Sequence, residues 1–264
     1  MSRGRRKGGS PKKKSGEQQR RVAGAGPVRE LLAAAPTAIR RIWVAPTERG
    51  QVAEIAESAR SAGIAVENCE LSELDRMADG TRHQGVVAET RPYRYADVDD
   101  MLAAAEAANQ PPLIVALDGV TDPRNLGAIA RSAYLLGAHG IVVPRDRAAE
   151  VTPTSTKVSA GAVEHIAIAQ VTNLARTLGE LKEAGLWIHG VAAEDGAQEM
   201  AATDLRGATC LVLGSEGSGL RPLVAKACDL FAVIPMSGEH VGSFNVSVAA
   251  ALALYECRRQ RTDQ

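Results

Sequence analysis

Residues 113–144 read LIVALDGVTDPRNLGAIARSAYLLGAHGIVVP, and this stretch decides the fold. LIVAL at 113–117 is an unbroken apolar run of strand length, the polar residues after it open a helix, and GIVVP at 140–144 is the next apolar run. The alternation continues with LWIHGV at 186–191, TCLVL at 209–213 and FAVIP at 231–235. Strands that are apolar throughout and alternate with helices predict an α/β class with a mainly parallel sheet covered by helices. Ligands of such sheets bind beyond the carboxyl ends of the strands, where the DGVTDPRN segment emerges. Asn125 and Arg131 stand six apart there, and a guanidinium suits a phosphate or a developing oxyanion. The spacing equally serves a plain reading, with Asp122-Pro123 a turn, Asn125 a cap and Arg131 a surface charge.

Two further clusters follow apolar strands. LVLGSEGSGLRP carries Gly214, Gly217 and Gly219, an order that matches neither the dinucleotide fingerprint nor a phosphate-binding P-loop. Such a turn is more often structural, but Glu216 within it adds a candidate contact for cofactor or substrate. FAVIPMSGEHVGSFNVSVAAALALYEC crowds Ser243, Asn245 and Ser247 at the start of an Ala-rich helix. Capping uses one or two of these groups, which leaves Ser243 or Asn245 to reach a ligand.

Upstream, residues 22–92 read as a small α/β domain. A helix begins near Pro27, residues 42–45 form a strand, residues 51–62 form a helix closed by Gly63, and residues 64–66 form another strand. Ser72 caps a third helix, and residues 84–88 return as a buried strand. Residues 93–112, an Ala-rich helical stretch ended by Pro111-Pro112, read as a linker, and 113–264 as the second domain.

Residues 1–21 form a disordered basic tail with nine Lys or Arg against Glu17, although the whole chain of 264 residues holds 31 bases and 31 acids. That asymmetry points to a nucleic-acid arm, or more blandly to a solubilising terminus. Only 3% of residues are aromatic, so an aromatic base-stacking platform is not expected. Cys69, Cys210, Cys228 and Cys257 are widely spaced, with no metal-ligand pattern, and read as buried reduced thiols. No apolar run has membrane-spanning length and no apolar segment follows the basic start, which predicts a cytoplasmic protein. His139 and His189 read as structural, His83 as a possible RNA neighbour, and His240 as a candidate substrate contact.

The three clusters, in this order over residues 113–258, closely resemble the three motifs of the SpoU/TrmH branch of the SPOUT methyltransferases. Residues 22–92 resemble the small ribosomal-protein-like RNA-binding domain of the 23S rRNA guanosine 2′-O-methyltransferases in that branch. The resemblance implies a trefoil knot in the C-terminal domain, S-adenosylmethionine as cofactor, and methyl transfer to an RNA ribose 2′-hydroxyl. It places cofactor contacts at Gly214, Ile234 and Phe244, the last being Leu in most of the family. It places the polar active-site positions at Asn125, Arg131, Glu216, Ser243 and Asn245. Arg131 then orients and stabilises an anion, and Glu216 or an RNA phosphate accepts the hydroxyl proton. The family further implies a homodimer acting on 23S rRNA or a pre-ribosomal particle.

A departure bears on the substrate. The Gly-x-His-x-Val start of the RNA-binding domain is here Gly24-Ala25-Gly26-Pro27-Val28. A tRNA 2′-O-ribose methyltransferase or an antibiotic-resistance rRNA methyltransferase would share the three clusters. A noncatalytic ribosome-assembly factor would share the fold but has no need of Asn125, Arg131, Glu216 and Asn245. A nicotinamide-dependent oxidoreductase would fit the α/β pattern but not the glycine spacing.

Overall fold

A computed structural model describes residues 20–46, 50–237 and 242–262. Among these, two sheets organise the chain. The first contains β1 (Arg20–Ala23), β2 (Ile39–Val44), β3 (Ala65–Asn68) and β4 (Val86–Thr90) in the order β1-β4-β2-β3. β4 runs antiparallel to β1 and β2, and β3 lies parallel to β2. α1 (Ala25–Ala34) and α2 (Gln51–Ser61) cover one face and bury Val28, Leu31, Ile55 and Ala59 with Ile42 and Ala88. The apolar positions of α2 recur at three and four residues, and Gly63 at φ +74° follows its end. α3 (Leu71–Ala78) covers part of the other face through Leu74. Ser72 is not its cap, because the helix already begins at Leu71 after an extended Glu70 that makes no side-chain cap bond.

The larger segment opens with α4 (Val98–Ala107) and then alternates β5 (Leu113–Asp118), α5 (Pro123–Leu135), β6 (Gly140–Pro144), α6 (Pro153–Val158), β7 (Ala167–Val171), α7 (Leu174–Glu183) and β8 (Trp187–Val191). It continues with β9 (Gln198–Glu199), β10 (Thr209–Gly214), α8 (Pro222–Ala227), β11 (Leu230–Val233) and α9 (Val246–Thr262). The strands are ordered β7-β6-β5-β10-β8-β11-β9, and every pairing is parallel. This is the expected α/β fold. α5 and α9 pack over one face on Leu117, Leu211 and Leu213, and α4, α7 and α8 cover the other on Ile114, Val142 and Val212. With all strands parallel, the ends of β5, β8, β10 and β11 share one rim of the sheet.

Three parts differ from the sequence reading. Arg20 and Arg21, assigned to the tail, lie in β1, where Arg20 is buried because Thr156 Oγ1 accepts from its guanidinium at 2.6 Å and Glu164 pairs with it. The stretch read as a linker is built into the sheet. Ala96 N donates to Ile168 O at 2.9 Å, and Met101 of α4 is fully buried in the cluster that holds Ile114 and Val142 of the sheet. β7 and β9 escaped the reading, since AIAQV carries a Gln and Gln198–Glu199 is a two-residue edge strand. Among the described residues no helix is long and apolar enough to cross a membrane.

Candidate active site

The loop after β10 is tied across its neck. Ser215 N donates to Gly219 O and Gly219 N to Ser215 O, both at 3.1 Å, with Gly217 at φ +97° between them. A Cβ on Gly214 would lie 2.5 Å from Gly219 O and 2.7 Å from Leu220 N. These glycines therefore serve first to fold the loop back over the strand end. That fold presents Glu216 to the first turn of α9.

Asp122 caps α5 by accepting from Arg124 N at 2.8 Å, with Pro123 at the first helical position. Asn125 is thus spared from capping. Its Nδ2 donates to Glu216 Oε1 at 3.1 Å, and its Oδ1 accepts from Asn245 Nδ2, also at 3.1 Å. Asn245 Nδ2 donates in addition to Glu216 Oε1 at 2.5 Å, and Val246 N reaches the same oxygen at 3.3 Å. Asn245 Oδ1 accepts from Ser247 N at 2.9 Å and from Ser247 Oγ at 2.6 Å, so Asn245 caps α9 and joins the cluster at once. One residue from each sequence cluster meets here. Among the described residues Glu216 Oε2 accepts no hydrogen bond, and the carboxylate faces the positive end of α9.

Beside the network a cleft of about 580 Å³ opens on the rim. Gly214, Ile234 and Phe244 all line it, as do Glu216 and Ser243. The end of β8 and the residues after it, Val191 to Glu194, form a wall that sequence reasoning missed, because Gly190 and Glu194-Asp195-Gly196 around it read as an ordinary turn. Arg131 is not drawn into the network. It is exposed on α5, six residues and roughly 9 Å along the axis from Asn125, with no hydrogen bond or ion pair among the described residues. His240 lies outside the described residues.

A second pair went unread. Asp118, buried at the end of β5, accepts from Arg221 N at 2.7 Å and from Arg221 Nε at 2.6 Å. This anchors the far end of the 215–220 loop to the central strand. An acid closing an apolar strand, with an Arg closing the glycine loop, was the available signal. His139 accepts from Leu113 N at 3.0 Å, and His83 accepts from Gly85 N at 3.0 Å while contacting Asp75, so both support local structure. Burial pushes the thiols of Cys228 and Cys257 up to about 12, which keeps them protonated and unreactive at neutral pH. Among the described residues no group of His, Cys, Asp and Glu could hold a metal.

The chain matches the family described as SpoU rRNA methylase over residues 112–255, and the RNA 2′-O ribose methyltransferase substrate-binding family over residues 21–96. It is 45% identical over 222 residues to a putative TrmH family tRNA/rRNA methyltransferase, YacO, of Bacillus subtilis, covering 84% of this chain and 88% of that protein. It is 42% identical over 246 residues to the 23S rRNA (guanosine-2′-O-)-methyltransferase RlmB of Pseudomonas aeruginosa, covering 93% of this chain and 98% of that protein. Among solved structures it resembles the SpoU methyltransferase AviRb of Streptomyces viridochromogenes in complex with AdoMet. That likeness has a TM-score of 0.77 at 25% identity and covers 93% of this chain and 92% of the other.

Proposed function

Since this chain belongs to the SpoU methylase family and is an RNA 2′-O-ribose methyltransferase that uses S-adenosylmethionine, we propose that its substrate is a guanosine of 23S rRNA. The observation that carries the site assignment is the meeting of Asn125, Glu216 and Asn245 on the cleft's rim. The substrate assignment rests on the substrate-binding match and on the RlmB relative.

The cleft suits the cofactor. Its volume falls in the range of small-molecule sites, and its lining joins apolar Ile234 and Phe244 to a glycine turn and the acids Glu194 and Glu216. We assign cofactor contact to Gly214, Ile234 and Phe244. When bound, S-adenosylmethionine supplies an electrophilic methyl on a sulfonium. The remaining work is positional: the chain must hold a ribose hydroxyl in line and receive its proton. Asn125 and Asn245 fix the Glu216 carboxylate through Oε1, which leaves Oε2 to orient the hydroxyl and accept its proton. Ser243 lines the cleft and its hydroxyl suits a contact with the substrate ribose, and the Arg131 guanidinium, unpaired among the described residues, suits an RNA phosphate.

The same reading includes a trefoil knot, a cytoplasmic location and a homodimer. The dimer is supported by Tyr134 and Leu135 on α5 and by Val248, Leu252 and Tyr255 on α9, which leave an apolar face exposed on two helices packed together. The test of function is transfer of labelled methyl from S-adenosylmethionine to unmodified total RNA, followed by nucleoside mapping. Label on a 23S rRNA guanosine is the expected result. Label on tRNA would keep the chemistry and overturn the substrate, and no label on any RNA would return the assembly-factor reading.

A further inference from the structure

A second cleft, of about 420 Å³, lies where the small sheet meets the large one. Tyr93 and Arg20 line it together with Glu164, and Thr37 and Ala38 close it from the small domain. Arg91 and Arg94 also line it. Both are exposed, and among the described residues neither side chain has a hydrogen bond or ion pair. Their cationic groups are therefore uncommitted, unlike that of Arg20, which is held by Glu164 and Thr156 with its buried Nε left unpartnered. Tyr93 donates its hydroxyl to Val163 O at 3.0 Å, while the Arg20 guanidinium lies 5.4 Å from its ring centroid. The wall is thus fixed in place.

This cleft is separate from the cofactor cleft. It borders the start of β7, an edge strand, and β7 stands four strand spacings, roughly 19 Å, from β8 beside the first cleft. The two uncommitted arginines give the mouth a net positive charge that the single acid, already paired with Arg20, does not cancel. A phosphodiester backbone is the ligand that such a surface fits, since it brings repeated negative charge without demanding base-specific donors.

We propose that the cleft between the two sheets is a second RNA site, in which Arg91 and Arg94 hold phosphates of the strand that flanks the methylated nucleotide. This rests on the RNA methyltransferase reading and extends it to where the rest of the substrate lies. The site contributes RNA affinity and register and takes no part in methyl transfer itself.

The test uses the full chain and the double variant Arg91→Gln/Arg94→Gln, with binding of a fluorescein-labelled single-stranded RNA of roughly 20 nucleotides followed over a salt series. Affinity near 0.1 M salt is expected to fall about tenfold, and the slope of log affinity against log salt to flatten by about 1.4, the value for two phosphate contacts on a single strand. Affinity for S-adenosylmethionine is expected to stay within about twofold of the wild type. Arg60→Gln/Arg76→Gln removes equal charge outside the cleft and is expected to leave the slope unchanged. An unchanged slope in the first variant, or an equal flattening in both, overturns the proposal. Methyl transfer to a 23S rRNA transcript, measured alongside, separates the two readings. If the wild type binds RNA with the full slope yet labels no 23S rRNA, the substrate assignment fails while the cleft stands. If it labels 23S rRNA and the double variant does so with unchanged KM, the cleft fails while the substrate assignment stands.

Discussion

Asp118 holds Arg221 twice, by the backbone amide at 2.7 Å and by Nε at 2.6 Å, with the carboxylate wholly buried and the guanidinium half exposed. The two partners are therefore unequal. Removing the arginine side chain leaves a buried charge short of donors, whereas Asp118→Asn removes the charge itself. Arg221→Ala is expected to lower thermal stability more than Asp118→Asn, by about 1–3 kcal/mol after allowance for the solvent at the guanidinium. Both should weaken S-adenosylmethionine binding, because the pair anchors the loop that walls the cleft. Thermal melts and cofactor titrations of the two variants check the order.

Glu216 sits where three donors converge on one oxygen. Glu216→Gln keeps the shape but loses the acceptor charge, and single-turnover methyl transfer is expected to fall about 100-fold or more. Cofactor affinity should change little by comparison. Asn125→Ala and Asn245→Ala should be non-additive, with a coupling of about 0.5–3 kcal/mol in the activation free energy, because each asparagine donates to the same oxygen and they bond each other. Additive losses in a double-mutant cycle would show that the cluster does not act as a unit.

Gly214→Ala tests the turn. The new Cβ would meet backbone atoms of Gly219 and Leu220, which cannot rotate away as a side-chain end can. The loop must shift, and affinity for S-adenosylmethionine is expected to fall tenfold or more, about 1.4 kcal/mol. Isothermal titration reads this directly, and a variant that binds as tightly as the wild type would remove Gly214 from the cofactor site.

His189 gives the fold an acid-sensitive point. It is buried in β8 with neither ring nitrogen partnered, and burial lowers its pKa. The unfolded chain takes up that proton near pH 6.5, so below this pH it binds more protons than the fold, and stability falls as pH falls. His189→Leu removes this term and leaves no buried polar group. Its melting temperature is expected to exceed that of the wild type by a margin that widens from pH 7 to pH 5.5. A constant margin would assign the acid limb elsewhere, with His139, whose pKa burial and Arg261 also lower, the next residue to replace.

The five apolar runs that the sequence displays became β5, β6, β8, β10 and β11; β5, β6 and β10 are apolar because both their faces are buried, whereas β11, next to the edge strand, is only partly covered. β1 was illegible for the opposite reason. Its two arginines read as tail, and only the distant Glu164 and Thr156 reveal why one of them can be buried. The site was legible as residue types: Asn125, Glu216 and Asn245 converge, and Gly214, Ile234 and Phe244 line one cleft. Arg131 was grouped with Asn125 by spacing, yet helix geometry turns it about 120° away. The Val191 to Glu194 wall carries only the marks of an ordinary turn, Gly190 and Glu194-Asp195-Gly196, and its role comes from which strand lies next to β10.

The joint at Arg20 has a consequence for anyone building hybrids of this enzyme. Arg20 belongs to the small sheet, while Thr156 and Glu164 belong to the segment around α6, and Gly161 leaves no room for a Cβ beside Glu30. Exchanging the RNA-binding module alone would strand a carboxylate or a guanidinium in the interior. The two modules are therefore interchangeable only as a matched pair, with positions 20, 30, 156, 161 and 164 moved together as one cassette.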